Sequence, residues 1–162
     1  MNDIQPIICK LRTKEGNIIE VRNPEIVSKI GLIRNYFAMN NSVTVPEIPV
    51  QNVIVEDLKF ILRHMAKRLN PESEHETNQL DLFNECANLS NTRFLSIIET
   101  TNFMEIPDML QELSKICAHQ FQKKTSDEIS EYLNIEKDIN GIELNEIEKE
   151  NNWFHVIKEI EE

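Results

Sequence analysis

The chain has 162 residues, a length that fits one domain with a helical extension and is sufficient to bury a hydrophobic core. Hydrophobic residues make up 40% and glycine occurs three times, a composition typical of a folded, helix-rich chain rather than a disordered one. The formal net charge of −11 repels nucleic acid and anionic membranes, so neither is expected as a partner. Residues 126–162 contain twelve acidic residues and three lysines, and therefore carry −9 of that charge.

The N-terminal half alternates between strand and helix patterns. Apolar runs on both sides of residues 14–17 predict a hairpin. From Pro24 onward, one helix is predicted by apolar residues spaced four, three and four apart: Ile26, Ile30, Ile33 and Phe37. The run VTVPEIP, residues 43–49, predicts a short strand stopped by two prolines, and residues 56–69 return to helical spacing.

The C-terminal half is predicted to be helical after a polar break. Residues 70–79 contain no large apolar side chain, which predicts a flexible linker. Helices are expected at residues 94–103 and 107–122, and the second carries a continuous apolar stripe. Thr125 and Glu128 have the T-x-x-E spacing of a capping box before another helix. The predicted division is residues 1–122, with the linker inside, and an extension at 123–162.

The last residues predict a short amphipathic helix. Asn140 to Glu143 offer a capped start. Residues 148–162 include the apolar residues Trp153, Phe154, Val156, Ile157 and Ile160, of which 153, 156, 157 and 160 fall on one side of a 3.6-residue period. A terminus would normally fray, so this helix is expected to cover a surface. An apolar stripe such as that of residues 106–121 is more often intramolecular core than interface. For the Trp153 helix, few elements remain to cover it within so short a chain.

Catalytic and metal-binding patterns are not found in the sequence. There is no GxSxG, P-loop, GxGxxG or HExxH motif, so no enzymatic activity, metal or cofactor is expected. His75 lies between two glutamates, but in a polar segment such a histidine is more often solvated than a ligand. The other histidines have no partner four residues on and are expected to be surface or half-buried: His64, His119 and His155.

The three cysteines indicate a reducing compartment. Cys9, Cys86 and Cys117 are odd in number, widely spaced and set among apolar neighbours, so neither a disulfide framework nor a zinc pattern is visible. The opening MNDIQPIICK lacks the basic region and long apolar run of a signal peptide. A cytoplasmic and nuclear location is expected.

Several features together resemble the Skp family, the S-phase kinase-associated adaptors of SCF-type cullin ubiquitin ligases. Residues 102–138, NFMEIPDMLQELSKICAHQFQKKTSDEISEYLNIEKD, are similar to the family's C-terminal half without a gap. The matching features include an Asn-aromatic pair at Asn102, Lys124-Thr125 before an acidic helix start, and Lys149-Glu150-Asn151-x-Trp153 near the end. The runs KLRTKEGNIIEV and DLKFILRHM resemble the family's BTB/POZ half more weakly.

The resemblance implies an α+β fold. Residues 1–122 would form a BTB/POZ-like domain, a small three-stranded sheet with helices, and residues 123–162 would form a C-terminal helical extension of the Skp dimerisation type. The implied function is a non-catalytic adaptor that bridges F-box substrate receptors to a cullin scaffold. The F-box-binding residues that the resemblance implies are Ile106, Met109, Leu110, Leu113, Ile116, Ile129, Leu133, Ile135 and Trp153.

The cullin-binding residues that the resemblance implies are Asn102, Phe103, Thr100 and Thr101. Phe103 keeps the ring of the family's usual tyrosine and loses its hydroxyl. Glu99, Thr100 and Thr101 stand where the family generally has small alanines. Two alternatives therefore remain open: a divergent paralogue or mimic that binds F-box proteins without a cullin, and a BTB domain that forms a weak homodimer through its N-terminal half when unpartnered.

Overall fold

The computed structural model describes residues 6–40, 44–70, 72, 74–122 and 124–135. The chain divides into two compact units, Met1–Lys123 and Lys124–Glu162, whereas the predicted boundary lies between residues 122 and 123. The α+β class predicted from the sequence is confirmed by a three-stranded sheet accompanied by helices. The capped helix start predicted at residues 140–143 and the amphipathic helix predicted within residues 148–162 lie outside the described residues.

Ten elements follow one another along the described chain. The strands are β1 (Cys9–Thr13), β2 (Ile18–Val21) and β3 (Glu47–Val50). The helices are α1 (Pro24–Lys29), α2 (Gly31–Met39), α3 (Val55–Leu69), α4 (His75–Ala87), α5 (Asn91–Phe103), α6 (Pro107–Phe121) and α7 (Ser126–Tyr132). Elements β1 to α6 belong to the first unit, and α7 belongs to the second. No helix among the described residues is long and apolar enough to span a bilayer.

The sheet has β1 at its centre, in the order β2-β1-β3. The predicted hairpin is confirmed: β1 and β2 are antiparallel, and the N–H of Thr13 donates to the carbonyl of Asn17 at 2.9 Å. Gly16 in the turn has φ +81, a left-handed conformation that favours glycine. Leu11, in the central strand, is fully buried and anchors the sheet to the core.

The third strand lies later than its sequence pattern suggested. It begins after Pro46 and includes Pro49, whereas the prediction had prolines stopping it. β3 pairs in parallel with β1, and the N–H of Lys10 donates to the carbonyl of Pro46 at 2.9 Å. Proline is compatible with an edge strand because its missing N–H can face away from the neighbouring strand.

The single helix predicted from Pro24 is wrong, because the chain breaks it into α1 and α2. Ile30, between them, has an extended backbone with φ −95 and ψ 107. The apolar spacing runs across the break because Ile26, Ile30 and Ile33 are all buried. Periodicity therefore located the buried face correctly but gave no sign of the interruption.

A tight contact with the turn between α5 and α6 accompanies this break. The N–H of Gly31 donates to the carbonyl of Glu105 at 3.0 Å, and the N–H of Leu32 donates to that of Met104 at 3.3 Å. Glu105 adopts a left-handed conformation with φ +56. A Cβ atom added to Gly31 would lie 2.5 Å from the Cβ of Glu105, so only glycine fits without movement.

The linker predicted at residues 70–79 is wrong from His75 onward, where α4 begins. Asn78 is buried in this segment, and its Nδ2 donates to the carbonyl of Lys67 at 3.4 Å. Glu and Gln have adequate helix propensity, and the buried Asn78 side chain is hydrogen-bonded. The lack of large apolar residues therefore indicated solvent exposure rather than loop structure.

His64 joins α3 to α4 and is buried, so the expected surface or half-buried position is wrong. Its Nε2 lies 3.1 Å from Oε2 of Glu85, and its ring centroid lies 4.6 Å from that of Phe60. Arg63 and Lys67 on α3 also pair with Glu85. Burial lowers the pKa of His64, while the Glu85 carboxylate acts in the opposite direction.

Asp57 joins α3 to α5 and is fully buried. Its Oδ2 accepts a hydrogen bond from the Ser96 hydroxyl at 2.6 Å. Its Oδ1 lies 2.9 Å from Nη1 of Arg93, an ionic contact whose geometry is not that of a hydrogen bond. The sequence pattern missed this interaction, because an acidic residue in the first turn of a helix is usually solvated.

The capping box predicted at the start of α7 is confirmed. The Thr125 side chain accepts from the backbone N–H of Glu128, and the Glu128 carboxylate accepts from the N–H of Thr125 at 2.8 Å. These bonds to Thr125 lower the pKa of Glu128. They satisfy donors that the first turn would otherwise leave unpaired.

We expect Gly31→Ala to destabilise the chain by about 1–3 kcal/mol, because the new methyl group overlaps Glu105. The measurement is equilibrium unfolding in urea. Adding Glu105→Gly should restore part of the loss, since it removes the clashing Cβ and suits the left-handed backbone. Equal losses in the single and double variants would contradict a direct contact between these positions.

We expect His64 to make the chain less stable in acid. Because its folded-state pKa is lowered, the unfolded chain binds the proton more readily. The contribution of His64 is therefore complete above the ordinary pKa of about 6.5 and is lost as the pH falls below it.

Unfolding free energies of the wild type and of His64→Gln, compared at about pH 8 and about pH 5.5, measure this effect. Acidification should reduce the wild-type value more than the variant value. The opposite trend would mean that attraction to Glu85 outweighs the cost of burying the charge.

Candidate protein-interaction site

Most apolar residues of α6 that were predicted to bind a partner are part of the interior. Ile106, Met109, Leu113 and Ile116 are buried. α6 packs against α5, and Pro107 occupies its first turn, where the missing N–H costs nothing. These four side chains can support a binding surface from beneath, but they expose little area of their own in the described chain.

One edge of α6 is accessible. Leu110, Cys117 and Phe121 are half-buried and are spaced seven and four residues apart, which places them on one face of the helix. We call these three residues the outer α6 face. Leu110 is among the F-box-binding residues that the family resemblance implies, whereas Cys117 and Phe121 are not, although all three lie on the predicted apolar stripe.

α7 supplies further apolar side chains within the second unit. Ile129 and Leu133 are half-buried, and Ile135 is 57% exposed. Tyr132 is buried, with the Lys124 ammonium group 5.8 Å from its ring centroid. Trp153, the predicted anchor, lies outside the described residues.

The residues predicted to bind a cullin divide into exposed and buried pairs. Asn102 is exposed and Phe103 is 36% exposed, at the end of α5. Thr100 and Thr101 are buried, and the Thr101 hydroxyl donates to the carbonyl of Ile97 at 2.7 Å. The two threonines therefore do not present contact surface.

Backbone hydrogen bonds hold the exposed pair in place. The carbonyl of Asn102 accepts from the N–H of Glu105 at 3.0 Å, and the carbonyl of Thr101 accepts from Ile106 at 3.2 Å. Nδ2 of Asn35, on α2, donates to Oε2 of Glu105 at 2.9 Å. The turn that follows Asn102 and Phe103 is thus hydrogen-bonded to α2, which fixes the backbone position of this pair.

An exposed carboxylate lies beside this pair. Glu99 precedes Asn102 and Phe103 by three and four residues on α5, so all three side chains share a face. We call Glu99, Asn102 and Phe103 the α5 end face. Its polar and charged members distinguish it from the apolar outer α6 face.

The described residues show no cluster of three or more His, Cys, Asp or Glu side chains suited to a metal ion. Burial raises the pKa of Cys9 to about 11 and that of Cys86 to about 12. Burial also raises the pKa of Cys117, which is the half-buried thiol on the outer α6 face.

Comparison with known proteins places this arrangement in a family. The family model described as "Skp1 family, dimerisation domain" matches residues 107–154, a range that begins with α6 and includes α7. The outer α6 face lies within the matched range.

Relatives match over nearly the whole chain. The S-phase kinase-associated protein 1 homolog of Tetrahymena thermophila is 31% identical over 157 residues, which cover 89% of this chain and 92% of the relative. SKP1-like protein 5 of Arabidopsis thaliana is 24% identical over 148 residues, covering 88% and 94%. The SCF ubiquitin ligase complex protein SKP1b of Dictyostelium discoideum is 24% identical over 155 residues, covering 90% and 94%. The chain, with its α+β fold and C-terminal helices, belongs to the Skp1 family.

Proposed function

We propose that this chain is a non-catalytic adaptor of an SCF-type cullin-RING ubiquitin ligase, which bridges F-box substrate receptors to a cullin scaffold. The observation that carries the proposal is the presence of two accessible surfaces of different chemistry, the apolar outer α6 face and the polar α5 end face. The name of the Dictyostelium relative, an SCF ubiquitin ligase complex protein, supports the same role. An adaptor of this kind contributes proximity rather than chemistry.

The outer α6 face is proposed to bind the F-box. Leu110, Cys117 and Phe121 already pack partly against their own chain, so a partner needs to cover only their remaining area. Each Å² of apolar surface removed from water contributes about 25 cal/mol. The buried residues Ile106, Met109, Leu113 and Ile116 fix the shape of this face from below. Ile129, Leu133 and Ile135 of the second unit, together with Trp153, are proposed to contact the F-box as well.

The α5 end face is proposed to bind the cullin. Phe103 offers a partly exposed ring and Asn102 an exposed amide, the combination of apolar area and hydrogen bonding that suits an interface. The hydrogen bonds that Asn35 and Gly31 donate to Glu105 hold the backbone of the turn after α5 in one conformation. This reduces the conformational entropy lost on binding.

A second candidate function is capture of F-box proteins without a cullin. The observation that favours it is Glu99, an exposed charge on the α5 end face itself. An interface must either remove water from such a carboxylate or pair it with a positively charged side chain. If the cullin offers no positively charged side chain at this position, Glu99 weakens cullin binding. The chain would then sequester its F-box partners.

Native mass spectrometry of the chain with an F-box domain and a cullin N-terminal domain tests the proposal. We expect a complex of one copy of each. An F-box complex that never takes up the cullin would establish the second candidate instead, and Glu99→Ala should then raise cullin binding. Failure to bind an F-box domain at all would overturn both candidates.

Surface variants in the same experiment separate the two faces. Leu110→Asp should weaken F-box binding about tenfold or more, whereas the neighbouring Gln111→Asp should have little effect.

Phe103→Lys should reduce cullin binding alone. Trp153→Ala is expected to weaken F-box binding without unfolding the chain.

Thiol labelling provides an independent measurement of the outer α6 face. Because Cys9 and Cys86 are buried with raised pKa values of about 11 and about 12, Cys117 should react first with a thiol reagent at neutral pH. A bound F-box domain should slow this reaction, and Cys117→Ser should remove it. Labelling of Cys117 at the same rate in the complex would place the F-box elsewhere.

A further inference from the structure

A polar pocket at one end of the sheet shares no residue with either proposed interface. Its volume is about 360 Å³, and its described lining residues are Arg12, Thr13, Lys14, Gly16, Gln51 and Asn52. Its walls are the hairpin turn between β1 and β2 and the turn between β3 and α3. The described lining residues include two cations and no carboxylate, although the chain has a net charge of −11.

Backbone hydrogen bonds hold the two turns together. The N–H of Lys14 donates to the carbonyl of Val53 at 3.1 Å, and the N–H of Val53 donates to the carbonyl of Val50 at 3.1 Å. Val50 and Val53 are fully buried, whereas Gln51 and Asn52 between them are exposed. The two amide side chains are therefore carried by a backbone that is anchored in the core.

The two cations of the pocket lie on the outer face of the sheet. Arg12 in β1 and Lys14 just after it are two positions apart and both exposed, as the alternation of a strand requires. Arg12 forms an ion pair with Glu47 of β3. A guanidinium has five N–H donors, so this pair leaves donors available for a ligand. Within the described part of the chain, Lys14 has no ion pair.

The carboxylate that follows Lys14 in the sequence has other partners. Oε2 of Glu15 accepts a hydrogen bond from the N–H of Val55, in the first turn of α3, at 3.0 Å. The same oxygen accepts from the Thr13 hydroxyl and from Nδ2 of Asn17, each at 3.4 Å. Glu15 does not line the pocket. Its carboxylate is held at the start of α3 and does not pair with the Lys14 ammonium group.

The distribution of charge along the sequence also favours an anion here. Residues 1–70 contain ten Lys and Arg against seven Asp and Glu, whereas residues 71–162 contain seven against twenty-one. Salt limits the reach of an exposed charge to about 10 Å at about 0.1 M. A small anion at the end of β1 therefore responds to the local positive charge more than to the net charge of the whole chain.

We propose that this pocket binds a phosphorylated side chain of a partner protein. A phosphate monoester carries a charge of about −2 at neutral pH and has three acceptor oxygens. These properties match the guanidinium of Arg12, the ammonium group of Lys14 and the amide donors of Gln51 and Asn52. A carboxylate has about half that charge, so the two cations favour phosphate over an acidic side chain.

An exposed apolar residue beside the pocket favours a phosphorylated peptide over a free phosphate ion. Ile18 of β2 lies directly opposite Arg12 in the antiparallel ladder and is 49% exposed. Residues opposite one another share a face of the sheet, so Ile18 borders the same surface. A peptide side chain next to the phosphate can cover Ile18, at about 25 cal/mol per Å² of apolar surface removed from water. A free phosphate ion makes no such contact.

Two-dimensional ¹H–¹⁵N NMR of the full chain tests the proposal. The probe is the peptide Gly-Ala-Leu-phosphoserine-Leu-Ala-Gly, and its unphosphorylated form at equal ionic strength is the control. We expect the phosphorylated peptide to shift the backbone amide of Gly16 and the side-chain amides of Gln51 and Asn52. The amide of Gly31, which is buried and bonded to Glu105, should not shift. The unphosphorylated peptide should leave all these signals in place.

Charge variants locate the binding in this pocket. Lys14→Gln should weaken binding of the phosphorylated peptide about tenfold, because it removes a charge-assisted hydrogen bond. Asn52→Asp should also weaken it, since a carboxylate then lines the pocket. Lys59→Gln is the matched control, because Lys59 is an exposed lysine of α3 that does not line the pocket. Thermal melts should show that all variants remain folded.

An apolar variant distinguishes the two sources of phosphate. Ile18→Ser should weaken binding of the phosphorylated peptide, whereas binding of inorganic phosphate, titrated as a second probe, should stay unchanged. We expect inorganic phosphate to bind the wild-type chain more weakly than the phosphorylated peptide does.

Three results would overturn the proposal. Equal shifts with the phosphorylated and unphosphorylated peptides would exclude recognition of phosphate. Inorganic phosphate that binds as tightly as the phosphorylated peptide would mean a site for the free ion only. Equal losses in Lys14→Gln and Lys59→Gln would indicate general attraction by surface charge rather than binding in this pocket.

Discussion

The hydrogen bond from the N–H of Gly31 to the carbonyl of Glu105 fixes the junction on which both proposed surfaces depend. It joins the break between α1 and α2 to the turn between α5 and α6. The α5 end face precedes that turn, and α6 begins directly after it. The left-handed backbone of Glu105 costs about 1–2 kcal/mol for a residue other than glycine. The Asn35 side chain and the two backbone bonds from α2 offset this cost.

Three helix contacts of different chemistry hold the first unit around this junction. α6 packs on α5 through apolar side chains, whereas α3 meets α5 through the buried Asp57 and meets α4 through the buried His64. A buried charge or imidazole without its partner is costly, so these polar contacts define which helices can neighbour one another. Apolar packing alone would tolerate more arrangements than polar pairing does.

The sequence predicted the elements whose causes are local. The hairpin follows from turn residues 14–17, α5 and α6 follow from their apolar period, and the α7 capping box follows from Thr125 and Glu128. The break at Ile30 was not predicted, because it accompanies a contact between Gly31 and Glu105, which are remote in sequence. The start of α4 was not predicted, because residues 75–79 are polar although they are helical. Within the candidate site, periodicity gave the α6 stripe but could not show which edge stays open, since that depends on the neighbouring helices.

The position of Pro49 in β3 has a consequence for how the sheet can grow. The bond from Lys10 to Pro46 and the alternation of a strand direct the peptide groups of Ile48 and Val50 toward β1. The nitrogen of Pro49 therefore lies on the outer edge, where it has no hydrogen to offer. A foreign strand approaching this side of the described sheet meets an interrupted ladder, so the edge is protected against the intermolecular β-pairing that seeds aggregation.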